Sequence, residues 1–116
     1  MNQPDRYSNV LFGQDVQKCE IKKDTRLQNA ATFTFLSEDH TMGNLIRMKL
    51  HEDPKVVFAG YRIPHPLEPK MVVRVQTTND YPADMAITTA LSTLGNEFHA
   101  FSNEFDQQRE NFWKRN

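Results

Sequence analysis

The sequence predicts an α+β domain: a four-stranded, mainly antiparallel sheet with two helices on one face, in the order ββαββα. Three observations carry this. Four short runs alternate apolar and polar residues or are rich in β-branched and aromatic ones, as half-buried strands are. Two other segments switch to a helical period. The strands come in contiguous pairs rather than alternating with helices, which favours a layered α+β arrangement over a parallel sheet. The chain's 116 residues fit one domain, residues 1–116.

Residues 1–17 read as irregular, with Val10, Leu11 and Phe12 as a short apolar anchor before Gly13. Cys19-Glu20-Ile21-Lys22 alternates and suits a first strand. Lys23 to Asn29 is a polar connection. In Ala30–Leu36, Ala31, Phe33 and Phe35 alternate with Thr32 and Thr34, a second strand. Asp39 and Thr41 are then the strongest candidate N-caps. Met42, Leu45, Ile46 and Leu50 follow at helical spacing, and Pro54 ends the helix near Asp53. Gly43 falls in the first turn, where glycine costs about 1 kcal/mol relative to alanine. Close approach of a strand of the same domain, or of a partner chain, would each explain it.

Val56–Ile63 is a third strand, the triple-proline stretch Ile63–Pro69 a loop, and Met71–Thr78 a fourth strand. Asn79-Asp80-Tyr81-Pro82 reads as a cap with a first-turn proline. The pattern is helical from there to about Trp113. Ile87, Leu91, Leu94, Phe98, Phe101, Phe105 and Phe112 recur at spacings of 4, 3, 4, 3, 4 and 7, a heptad seam that skips Gln108. A helix over residues 82–113 is about 48 Å long, whereas a compact domain of this size is roughly 35 Å across. Two turns or more should overhang, unless Gly95 bends the helix back. The overhang carries Phe105, Phe112 and Trp113. Large aromatics in one exposed stripe mark an interaction face.

Composition narrows the function. Fourteen Lys and Arg against 15 Asp and Glu give a net charge of -1, which argues against an electrostatic grip on nucleic acid or anionic membrane. Apolar residues make up 38%, below the roughly 45–50% of typical domains, so a partner could complete the core. The single Cys19 allows no internal disulfide and no Cys-rich zinc site, which suits a reducing compartment. The polar opening Met1–Arg6 predicts no secretory leader, and no run approaches the roughly 18 apolar residues of a membrane span.

The four histidines, His40, His51, His65 and His99, lie on different elements without a metal-ligand spacing. Nucleophile elbow, P-loop and dinucleotide fingerprint are all missing. Cys19 reads as a small core residue. Lys22, Lys23, Arg26, Arg47 and Lys49 read as solvated faces. A small α+β enzyme using His40 or His65 as acid or base remains the alternative from another class.

Two stretches carry a resemblance: Glu38-Asp39-His40-Thr41-Met42-Gly43-Asn44-Leu45-Ile46, and Phe58-Ala59-Gly60-Tyr61-Arg62-Ile63-Pro64-His65-Pro66-Leu67-Glu68 followed by Arg74-Val75-Gln76-Thr77-Thr78. Together they resemble the small alpha-like subunits of RNA polymerases, the family of the eleventh subunit of eukaryotic polymerase II and of archaeal polymerase subunit L. The resemblance covers almost the whole chain. Met1–Tyr7 and Thr77–Tyr81 fit the polymerase II version better than the paralogue shared by polymerases I and III, which is the nearer alternative. Met42 stands where the family usually has Leu, a volume-conserving exchange.

The resemblance implies the fold of the alpha-subunit dimerisation domain and a nuclear, non-catalytic role without cofactor or metal. It implies a heterodimer with the larger alpha-like (third) subunit, which serves as an assembly platform for the large catalytic subunits. No sequence-specific nucleic-acid binding, membrane contact or small-molecule ligand is expected. By the same resemblance, His40, Thr41, Met42, Gly43, Asn44, Leu45 and Ile46 belong to the dimer interface, which favours the partner explanation for Gly43. The long helix, with Leu91, Leu94, Phe98, Phe101, Phe105 and Phe112, would lie along a partner helix. Tyr61, Pro64, His65 and Pro66 are expected to contact the rest of the polymerase.

Overall fold

The computed structural model describes residues 17–115; the expected apolar anchor at Val10–Phe12 lies outside the described residues. The elements are β1 (Cys19–Lys23), β2 (Ala30–Leu36), α1 (His40–His51), β3 (Val56–Arg62), β4 (Lys70–Thr77) and α2 (Ala83–Arg115). This is the expected ββαββα order, with ends moved by a residue or two. The strands form one sheet in the order β1-β2-β4-β3, and every pairing is antiparallel.

The alternation read from the sequence sets the two faces of this sheet. Phe33 pairs with Val73, Phe35 with Met71 and Ala31 with Val75. All six are buried, while the intervening Thr32, Thr34, Val72 and Arg74 are half-buried on the other face. Against the buried face lie Ile46 and Leu50 of α1, and Ala83, Ala86, Ile87, Ala90 and Leu94 of α2, in a single core cluster. The small residues Ala83, Ala86 and Ala90 let α2 come close to the sheet. On β3 the register slips between Val56 and Phe58, leaving Val57 as the extra, exposed residue of a bulge.

Local chemistry fixes the connections. Between the two candidate caps the structure uses Asp39: its backbone is extended, and Oδ1 accepts from the Thr41 amide at 3.0 Å. Ser37, between β2 and that cap, is buried with φ of 57°, a left-handed conformation that nothing in the local sequence announced. The Lys23–Asn29 connection is more than a solvated turn. Asp24 Oδ1 accepts from the amides of Arg26 (2.7 Å) and Leu27 (3.2 Å), and its Oδ2 accepts from Arg74 Nη2 at 2.8 Å. The β1–β2 hairpin is thereby tied to β4.

Of the two explanations offered for Gly43, the structure shows the close approach of the chain's own strands, not the partner that the resemblance favoured. Gly43 is buried, and a Cβ there would meet Tyr61 ring carbons at 2.5 and 2.7 Å and Met71 Sδ at 2.8 Å. The close approach is to the chain's own strands β3 and β4, so the glycine is explained without a partner. Gly43→Ala should therefore destabilise the isolated chain by about 1–3 kcal/mol, despite alanine's better helix propensity; urea unfolding measures it.

The Asp24 carboxyl is held at a pKa of about 2, chiefly by the Arg74 hydrogen bond and then by the two backbone amides. A depressed folded value means that its stabilising effect is complete above the ordinary carboxylate pKa, near 3.8, and fades as pH falls toward about 2. The difference in Tm between wild type and Asp24→Asn should shrink over that window in acid thermal melts and stay constant above it.

Candidate functional site

The second helix covers far more length than its own domain can bury. Its 33 residues run for about 50 Å. The chain's radius of gyration is 17.6 Å and its longest dimension 63 Å, against about 13 Å for the radius of a compact domain of this size. Gly95 introduces no break, since α2 continues unbroken through it to Arg115.

The apolar seam divides in two at that point. Ile87 and Leu94 are buried in the core and Leu91 packs partly against it. From Gly95 to Arg115 every residue is exposed. Phe98 is 55% exposed, Phe101 73%, Phe105 61% and Phe112 59%; Trp113, edge-on to Phe112, is 67% exposed. These rings leave a stripe of apolar surface in water, and burying each would contribute about 1.5–3 kcal/mol.

The point of departure is fastened. Lys49 Nζ on α1 donates to Glu97 Oε1 on α2 at 2.6 Å and to Glu52 Oε2 at 2.9 Å. The Lys49 side chain is only 13% exposed, so it is not the solvated charge expected from sequence. The two carboxylates raise its pKa, Glu97 more than Glu52.

On α1, Gly43 and Ile46 face the chain's own sheet and are buried, whereas His40, Thr41 and Asn44 are exposed and Met42 and Leu45 half-buried. Gly43, Ile46 and Leu94 therefore support the surface from beneath. Exposed Met48, three residues beyond Leu45, adds to the outer face of α1. Sequence reasoning passed over it, although its spacing from Leu45 was the available signal. In the loop after β3, Pro64, His65 and Pro66 are exposed. Tyr61 sits apart from them, its ring wedged under Gly43 and its hydroxyl 3.0 Å from His40 Nδ1.

Among the described residues, neither histidine of the enzymatic alternative meets a carboxylate. His40 bonds the Tyr61 hydroxyl, and His65 Nδ1 accepts from the Leu67 amide at 3.2 Å. Among the described residues no cluster of His, Cys, Asp or Glu could hold a metal ion, and no helix is long and apolar enough to cross a membrane. Cys19 is half-buried on β1 beside the core, and burial raises its thiol pKa.

An α+β sheet covered on one face, with a long helix that carries its apolar seam out into solvent, has the form of a protein-association module. Comparison with known proteins agrees. Residues 30–104 match the RNA polymerase Rpb3/Rpb11 dimerisation domain, and the chain belongs to that family. It is 47% identical over 107 residues, 91% of this chain and 86% of the relative, to a probable DNA-directed RNA polymerase II subunit RPB11 of Caenorhabditis elegans. It is 42% identical over 108 residues, 93% of this chain and 90% of the relative, to the RNA polymerase II subunit rpb11 of Dictyostelium discoideum. The fold is that of DNA-directed RNA polymerase subunit L from Thermoplasma acidophilum, with a TM-score of 0.70 at 17% identity, over 86% of this chain and 98% of that one. The four-stranded fold expected from the resemblance is thus present.

Hydrogen exchange on the isolated chain should show the division of α2. Amides of Ala86–Leu94, under the core, are expected to be protected far more strongly than those beyond Gly95. Equal protection along the helix would mean that the seam is already covered.

Proposed function

We propose that the chain is a non-catalytic subunit of DNA-directed RNA polymerase II that pairs with the larger alpha-like subunit, the third. The pair acts in the nucleus as the platform on which the large catalytic subunits assemble for mRNA transcription. The single observation that carries this reading is the seam of α2, which begins in the core and continues as bare aromatic surface for some 30 Å. Family membership and the polymerase II names of the relatives support it, and those names favour polymerase II over the paralogue of polymerases I and III.

In this reading Phe98, Phe101, Phe105 and Phe112 pack against a helix of the partner. Leu91 continues this contact toward the core end of α2, and His40, Thr41, Met42, Asn44 and Leu45 extend it over α1. The loop residues Pro64, His65 and Pro66 face the rest of the polymerase, whereas Tyr61, held under Gly43, supports α1. The role needs no cofactor, since the work is done by shape and apolar area.

Phe101→Asp tests the seam. The residue touches no core, so the isolated variant should keep its fold by circular dichroism and its melting temperature. In the pair it would bury an unpaired carboxylate, at about 3–5 kcal/mol. Binding to the third subunit should weaken by about a hundredfold or more in co-purification or calorimetry. Unchanged pairing would remove the helix from the interface.

A further inference from the structure

Gln108 interrupts the seam in register rather than ending it. Written as a heptad, Leu91, Phe98, Phe105 and Phe112 are one row, and Ile87, Leu94, Phe101 and Gln108 the other. The helix runs without a break through this region, so Gln108 stays on the stripe between Phe105 and Phe112. Its Nε2 donates to Glu104 Oε1, one turn back, at 3.1 Å. A polar residue at one core position of a helical pair fixes register and partner at some loss of stability.

We infer that Gln108 selects the partner: it admits a helix with a hydrogen-bonding side chain facing it and disfavours a second copy of this chain. This rests on the pairing proposed above. The two rows give the reason. In an antiparallel pair, residues of one row face the other row of the second helix. Two copies of this chain overlapping through this half of the seam would set each Gln108 against Leu91, Phe98, Phe105 or Phe112. Every such arrangement buries two amides against apolar side chains that offer no new hydrogen-bond partner. A buried polar group left unmatched costs free energy that a matched one does not. The exposed aromatic stripe would otherwise be self-complementary, and Gln108 is the polar interruption of its outer half.

The test compares wild type with Gln108→Leu, full-length in both cases, on two readouts. Both residues are good helix formers and the position is exposed, so the fold should be unaffected, as circular dichroism would verify. In sedimentation equilibrium of the chain alone, Gln108→Leu should self-associate about tenfold more tightly than wild type or better. In calorimetry against the third subunit the same variant should bind several-fold more weakly, because the facing polar group loses its mate. Self-association unchanged, or both equilibria moving in one direction, overturns the inference; the latter would make Gln108 a simple weak point in the seam. A parallel self-pair, in which Gln108 faces Gln108, would appear as wild-type self-association as tight as the variant's and would also overturn it. Failure of the underlying pairing is distinct: Phe101→Asp would then leave the third-subunit complex intact.

Discussion

The arrangement depends on a mismatch of lengths. The sheet can cover only the first part of α2, to about Leu94, while one uninterrupted helix continues to Arg115. Helix geometry makes this unavoidable once the apolar period is sustained, since each residue adds about 1.5 Å. The core is built within that constraint. Alanines at 83, 86 and 90 seat the helix on the sheet, Leu94 closes the cluster, and Lys49 grips Glu97 just where cover runs out. An exposed surface ion pair contributes little by itself. Here the Lys49 side chain is only 13% exposed, so the contact ties α1 to α2 at the edge of the core.

The wedge of α1 against the sheet complements this. Gly43 brings the first turn of α1 within van der Waals reach of the Tyr61 ring and Met71, and Tyr61 in turn holds His40. The residues at the start of α1 are thus positioned by the sheet, so the outer face of α1 is presented by a rigid support. Pre-organised surfaces lose less entropy on association than surfaces that must order first.

Much of this could be read from the residues themselves. The period-two pattern of Ala31, Phe33 and Phe35, and of Val73 and Val75, named the buried face because burial on one side of a strand imposes that period. The seam of α2 named both the helix and its overhang, since length and periodicity are local properties. What escaped depends on contacts far apart in the chain. For Gly43 the residues left a strand of the same domain and a partner both open, with only the resemblance favouring the partner, because its neighbours Tyr61 and Met71 arrive from distant strands. Asp24 looked like a turn residue until Arg74, 50 positions away, came to face it. Lys49 looked solvated because its acceptor Glu97 is 48 positions on. The left-handed Ser37 is set by the geometry joining β2 to α1 and leaves no mark on composition.

A bare aromatic stripe on an otherwise well-packed chain ties its persistence to supply. A partner that binds only the folded form stabilises it by mass action, in proportion to the logarithm of its free concentration. On the proposed pairing, chain made in excess would keep Phe98 to Trp113 in water, where apolar surface is open to proteases, chaperones and aggregation. On that pairing, the length of one helix would make stoichiometry a structural property, with durability rising as more of the complement is present.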